Sequence, residues 1–157
     1  MNIIDNFLDE TEFKQIQKII MSDEFPWYYN KQITTAADAK HFYFFSHNFL
    51  KNEVKSGFFG LWKNFLKKLN YKALIRIKGG LYPSHPKVRP NNFHVDFPFK
   101  HKGCIFYINN NNGPTVIGKK SIFPKENRAV LFDPSIRHKS SLCSNQRVRI
   151  TVTFNYF

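Results

Sequence analysis

The sequence predicts a mainly β fold with N-terminal helices: a double-stranded β-helix, or jelly roll, backed by those helices. Three observations carry the expectation. From Cys104 onward, short apolar runs alternate with turn signals at close intervals, the pattern of a sandwich or barrel. Before that, residues 8–70 hold stretches whose apolar residues recur at helical spacing. Finally, 157 residues with eighteen Phe, seven Tyr and two Trp suit one domain with a substantial core. The organisation expected is a single domain over 1–157, with helical support about 8–70 and the jelly-roll core about 72–157.

Taken in order, Leu8-Asp9-Glu10-Thr11-Glu12-Phe13 reads as a helix start. Asp9 caps, Glu12 stands three residues on to reach back, and Leu8 packs on Phe13. Phe13, Ile16 and Ile20 then share a face. Residues 22–40, with Pro26 and the run Trp27-Tyr28-Tyr29, lack periodicity and read mostly as loop. His41 to Phe49 reads as a strand or as a segment over a cleft. His41 and His47 have no ligand-like neighbour there and read as packed or surface histidines. Val54, Phe58, Leu61, Trp62, Phe65, Leu66 and Leu69 predict a helix over roughly 51–69 behind a sheet. Ala73 to Lys78 predicts a strand with Leu74, Arg76 and Lys78 on one face. Gly79-Gly80, Pro83, Pro86 and Pro90 predict a loop. The later strands are expected at Cys104–Ile108, Thr115–Ile117, Arg128–Phe132 and Arg149–Phe157, with turns at Asn109–Pro114, Gly118–Lys120 and Asp133-Pro134.

The chemistry concentrates in Phe93-His94-Val95-Asp96-Phe97 and, far downstream, His138. On a strand, residues i and i+2 face one way, so His94 and Asp96 reach one point together. With His138 they form a two-histidine, one-carboxylate face, which suits non-haem Fe(II) and leaves positions open for co-substrate and oxygen. In the last strand, Ile150, Val152 and Phe154 alternate with Arg149, Thr151, Thr153 and Asn155. If the apolar set packs on the helices, an inward arginine needs an anion. A guanidinium fork suits a dicarboxylate co-substrate whose other end lies on the metal. Arg149 is the candidate; Arg147, of the same parity, is its rival, and Tyr107 is placed to donate to the same carboxylate.

Composition excludes some classes. No stretch approaches the ~20 apolar residues of a membrane span, and Met1-Asn2-Ile3-Ile4-Asp5 does not open a secretory leader. Cys104 and Cys143 are too few for a disulfide scaffold; free buried thiols in a reducing compartment are expected over a single bridge. The net charge of +13 comes from scattered lysines, which read as a solvated surface, with an acidic or phosphate-bearing partner as the alternative.

Several motifs stand in the order seen in one family. They are Ile4-Asp5-Asn6-Phe7-Leu8, His94-Val95-Asp96, Cys104–Asn109, Gly113-Pro114-Thr115, Asn127–Phe132, His138 and Arg149–Phe154. Together they resemble the 2-oxoglutarate/Fe(II)-dependent dioxygenases, in particular the small prolyl-4-hydroxylase-like branch that includes phage-encoded forms. The resemblance covers residues 70–157 and, loosely, the N-terminal helix. It implies that His94, Asp96 and His138 bind Fe(II), that Arg149 holds the far carboxylate of 2-oxoglutarate, and that Tyr107 assists. It also suggests a co-substrate contact at Tyr82. Thr153 and Asn155 stand where eukaryotic prolyl hydroxylases tend toward aromatics, which loosens the tie to proline. The activity implied consumes 2-oxoglutarate and O2 and releases succinate and CO2, in the cytoplasm (of the host, for a phage-encoded form). The substrate expected is a prolyl or other peptide residue, a free amino acid or a nucleic acid. The alternative is a non-catalytic basic jelly-roll module that binds nucleic acid or a metabolite.

Overall fold

The computed structural model describes residues 1–33 and 43–157, so the expectation for His41 falls outside the described residues. In chain order the elements are β1 (Asn2–Ile4), α1 (Glu10–Ile20), β2 (Tyr28–Asn30), β3 (Phe44–Lys51) and β4 (Val54–Lys55). A 3-10 turn (Phe59–Trp62) then leads into α2 (Lys63–Leu69), followed by β5 (Leu74–Pro83), β6 (Arg89–Pro90), β7 (Lys102–Tyr107) and β8 (Thr115–Ile117). The chain closes with β9 (Lys120–Ile122), β10 (Arg128–Phe132), β11 (His138–Lys139), β12 (Ser141–Leu142) and β13 (Val148–Tyr156).

The large sheet runs β1-β10-β7-β13-β5-β3-β2, with β4 paired to β3; opposite it lie the small sheets β11-β8-β9 and β12-β6. This is the jelly roll, and the helices cover the large sheet's outer face. Asp9 caps α1 by accepting from the Thr11 and Glu12 amides, at 3.0 and 3.4 Å. Phe13, Ile16 and Ile20 of that helix, with Trp62, Phe65 and Leu69, meet Ile77, Phe106, Ile150, Val152 and Phe154 in one apolar core. The alternation expected of the last strand is therefore realised: its apolar residues back onto the helices, and Arg149 and Thr151 face into the roll.

Four expectations change. The helix over 51–69 is only α2, because Asn52 and Glu53 both have positive φ (50° and 66°) and turn the chain from β3 into β4. Gly79-Gly80 lies inside β5, not in a loop. A Cβ at Gly79 would lie 3.2 Å from both Trp27 and Phe49, and one at Gly80 only 2.9 Å from the Tyr82 ring, so these glycines admit aromatic rings to the sheet. Residues 28–30, expected as loop, form the edge strand β2, and Lys120, expected in a turn, begins β9. His47 is packed as expected, its ring nitrogens 2.9 Å from the Pro26 carbonyl and the Ser56 hydroxyl. Both cysteines are free and buried. Among the described residues no helix is long and apolar enough to cross a membrane.

Candidate metal centre

β5 and β13 lie side by side, with Tyr82 opposite Arg149, Gly80 opposite Thr151, Lys78 opposite Thr153 and Arg76 opposite Asn155. Alternation turns these side chains to the same face. That face floors a cavity of about 240 Å³, and His94, Asp96, His138 and Thr115 line it from the other side.

His94 and His138 oppose each other in an isolated antiparallel bridge, each amide donating to the other's carbonyl at 2.9 Å. Directly paired residues present their side chains together, and the two rings lie 4.4 Å apart, centre to centre. The sequence reading placed His94 and Asp96 on one regular strand. The chain instead makes this single bridge and then bends, with the Asp96 amide donating to the Pro134 carbonyl at 3.1 Å. Pro90 and Pro98 flank the segment and lack the donors a longer ladder needs.

Asp96 Oδ1 lies 4.0 Å from His94 Nε2 and 3.9 Å from His138 Nε2. Two donors each ~2.1 Å from one ion lie at most about 4.2 Å apart, so both separations are within reach of a shared centre. One donor atom from each of the three residues falls within 4.8 Å of the others. The supporting hydrogen bonds fit a metal as well. His138 Nδ1 is 2.9 Å from the Ile136 carbonyl, so that nitrogen carries the proton and Nε2 offers its lone pair. His94 Nδ1 faces the Asn92 carbonyl at 3.4 Å in the same sense. Asp96 Oδ1 is paired with Arg76 Nη2 at 3.0 Å, and Oδ2 accepts from Asn155 Nδ2 at 2.8 Å. Arg76 Nε donates in turn to Asn155 Oδ1 at 3.1 Å, closing the ring of contacts.

The electrostatics favour the ligand forms. Burial alone would raise the Asp96 carboxyl, but Arg76, Asn155 and the two imidazoles hold it below its ordinary value. Burial, and then the neighbouring His138, pull the His94 imidazole below its ordinary value, so it stays neutral. An ionised carboxylate and a neutral imidazole are what a metal needs.

Arg149 is 1% exposed, with Nε donating to the Gly113 carbonyl at 3.1 Å and Nη2 to Thr115 Oγ1 at 2.8 Å. Its guanidinium lies 5.4 Å over the Tyr82 ring, and no carboxylate among the described residues pairs with it. Tyr107 is buried behind it and donates its hydroxyl to Thr115 Oγ1 at 2.8 Å. Arg147 precedes the start of β13, is exposed, and lines a separate cavity beside Met21 and Asp23. The cavity thus brings together His94, Asp96, His138, Arg149 and Tyr82, leaves Tyr107 one contact away, and excludes Arg147. Sequence reasoning missed Arg76, Lys78, Asn155 and Thr115. The signal for the first two was a pair of cations on one face of a strand that had to be buried.

No protein-family model matches the sequence, and no curated protein matches it. Solved structures do match. An oxidoreductase of the 2OG-Fe(II) oxygenase family from Burkholderia pseudomallei is 11% identical with a TM-score of 0.72, over 98% of this chain and 83% of that one. A prolyl hydroxylase from Trichoplax adhaerens, in complex with a hypoxia inducible factor peptide fragment, is 16% identical with a TM-score of 0.67, over 99% and 82%. The viral collagen prolyl hydroxylase of Paramecium Bursaria Chlorella virus-1, in its 2OG complex, is 13% identical with a TM-score of 0.64, over 98% and 93%. At these identities the likeness is one of architecture: the chain has the fold of the prolyl hydroxylases and 2OG-Fe(II) oxygenases.

Proposed function

We propose that this chain is an Fe(II)- and 2-oxoglutarate-dependent dioxygenase that hydroxylates its substrate and releases succinate and CO2, acting as one domain over 1–157. The observation that carries the reading is a single cavity holding both a His-Asp-His donor set and a buried guanidinium without a carboxylate partner among the described residues. A bare sugar- or nucleic-acid-binding jelly roll needs neither feature.

His94, Asp96 and His138 supply three ligands on one face, and Arg76 with Asn155 fixes the rotation of the Asp96 carboxylate. Bound Fe(II), with 2-oxoglutarate and O2, supplies the oxidising chemistry; the protein supplies position and dryness. Arg149 offers its fork to the far carboxylate of 2-oxoglutarate, held in place by Gly113 and Thr115. Tyr107 acts through Thr115, and the Tyr82 ring closes the side of the guanidinium. The peptide held by the Trichoplax neighbour supports a peptide or protein substrate.

Anaerobic titration with Fe(II) and then 2-oxoglutarate tests the assignment. The weak visible charge-transfer band of the chelated complex is expected in wild type and lost in His94→Ala. A wild type without the band, or a variant that keeps it, refutes the proposal.

A further inference from the structure

We infer that Lys78 receives an oxyanion group, carboxylate or phosphate, of the primary substrate, an inference that rests on the oxygenase reading above. Three cations line the cavity: Arg76, Lys78 and Arg149. Arg76 is neutralised by Asp96 at 3.0 Å, and Arg149 is held for the co-substrate. Lys78 has neither arrangement. It is half-buried, its ammonium lies 4.9 Å over the Phe44 ring, and no carboxylate among the described residues forms an ion pair with it. Phe44 is itself stacked on Tyr82, ring centres 5.2 Å apart, so the ring beneath the ammonium is fixed.

The position on the strand matters as much as the charge. Lys78 stands between Arg76 beside the triad and Tyr82 beside Arg149, one or two pleats from each, at roughly 7 Å per pleat. It therefore faces the middle of the cavity, alongside the line from the triad to Arg149 that 2-oxoglutarate spans, on the course a substrate takes toward the metal. The lining has three cations against one carboxylate, Asp96. A ferrous ion and a 2-oxoglutarate dianion cancel each other, so the loaded cavity still carries excess positive charge. An aromatic face offsets only part of the cost of drying an ammonium. Burial and then the Arg76 charge pull Lys78 down to about 8, the direction an arriving anion would reverse.

The test uses full-length wild type, Lys78→Met, Lys78→Arg and Arg149→Met, loaded anaerobically with Fe(II) and 2-oxoglutarate. Capped dipeptides in matched pairs, aspartyl against asparaginyl and phosphoseryl against seryl, are the probes. Binding is read by perturbation of the charge-transfer band, and coupled turnover by succinate release. Wild type is expected to bind at least one anionic member about tenfold or more tighter than its neutral partner. Lys78→Met should erase that preference, Lys78→Arg should retain it, and the 2-oxoglutarate titration should be unchanged in both. Arg149→Met should instead weaken 2-oxoglutarate. No anion preference in wild type, or a preference surviving in Lys78→Met, overturns the inference while leaving the oxygenase reading intact. So does a Lys78→Met variant that loses 2-oxoglutarate, since Lys78 would then serve the co-substrate. A wild type that binds no 2-oxoglutarate overturns both.

Discussion

Replacing Arg149 by Met separates two roles that a buried cation plays. Without 2-oxoglutarate the guanidinium is buried, with the Gly113 carbonyl and Thr115 hydroxyl as its hydrogen-bond acceptors among the described residues. Removing an uncompensated buried charge gains stability, while two lost hydrogen bonds cost about 1 kcal/mol each. The terms oppose, so the thermal midpoint without ligand should move by less than about 4 °C. Binding behaves differently. Truncating one partner of a buried, hydrogen-bonded charge pair costs about 2–5 kcal/mol, or about 30- to 5,000-fold in the dissociation constant of 2-oxoglutarate. In wild type, ligand at a hundred times its dissociation constant adds about 2.7 kcal/mol, which raises the midpoint of a domain this size by about 5–11 °C. Differential scanning fluorimetry with Fe(II), with and without 2-oxoglutarate, should show that rise in wild type and at most about a third of it in Arg149→Met. Arg147→Met, exposed and facing another cavity, should behave as wild type. A full-sized ligand-induced rise in Arg149→Met, or its loss in Arg147→Met, refutes the assignment of the carboxylate partner.

Other perturbations probe the frame around the site. Arg76→Met leaves burial acting on Asp96 without its main counter-charge, so the carboxyl should rise and Fe(II) affinity, read from the charge-transfer band, should fall about 10- to 100-fold. Asn127 has φ of 58° and bonds both the amide and the carbonyl of Leu8 at 2.9 Å. Asn127→Ala orphans both buried groups and should cost about 3 kcal/mol, a fall of about 6–12 °C in the midpoint. Gly113→Ala would place a Cβ 2.8 Å from the Ser141 carbonyl oxygen and 3.0 Å from the Cys143 amide nitrogen, backbone atoms that cannot yield. It should cost about 1–3 kcal/mol and weaken 2-oxoglutarate through the displaced Gly113 carbonyl, whereas Gly57→Ala, with open space around it, should do neither. Asp5 is held below its ordinary 3.8 by hydrogen bonds from Arg128 and Lys125. The unfolded chain therefore takes up this proton first as pH falls, and the pair's contribution, below about 1 kcal/mol at an exposed site, is present above pH ~4 and lost below it. Asp5→Asn should flatten that part of the acid limb in urea titrations.

What could be read from the sequence depended on whether chemistry or register decided the position. The proposed iron triad was legible because few residue types ligate such a metal, and His94, Asp96 and His138 keep their identity whatever the backbone does between them. The local structure was not legible: a strand was expected where the chain makes one bridge and bends. Arg149 showed itself through alternation, since its apolar neighbours had to face the helices, but parity alone could not separate it from Arg147. That choice falls to where β13 begins, at Val148, a boundary set by pairing with Pro83 across the sheet. The same long-range pairing hid the partners of Asp96. Arg76 and Lys78 were visible as cations on one strand face, yet only the β5–β13 register sets Arg76 beside Asn155 and leaves Lys78 beside Thr153, with no ion-pairing carboxylate among the described residues. Local periodicity misled where a short turn imitated it: Val54 and Phe58 keep helical spacing with Leu61, while Asn52 and Glu53 adopt the left-handed conformation that turns β3 back as a hairpin. A sequence carries the identity of a metal site in its residue types, whereas the charge left over for a substrate arises only once distant strands have chosen their partners.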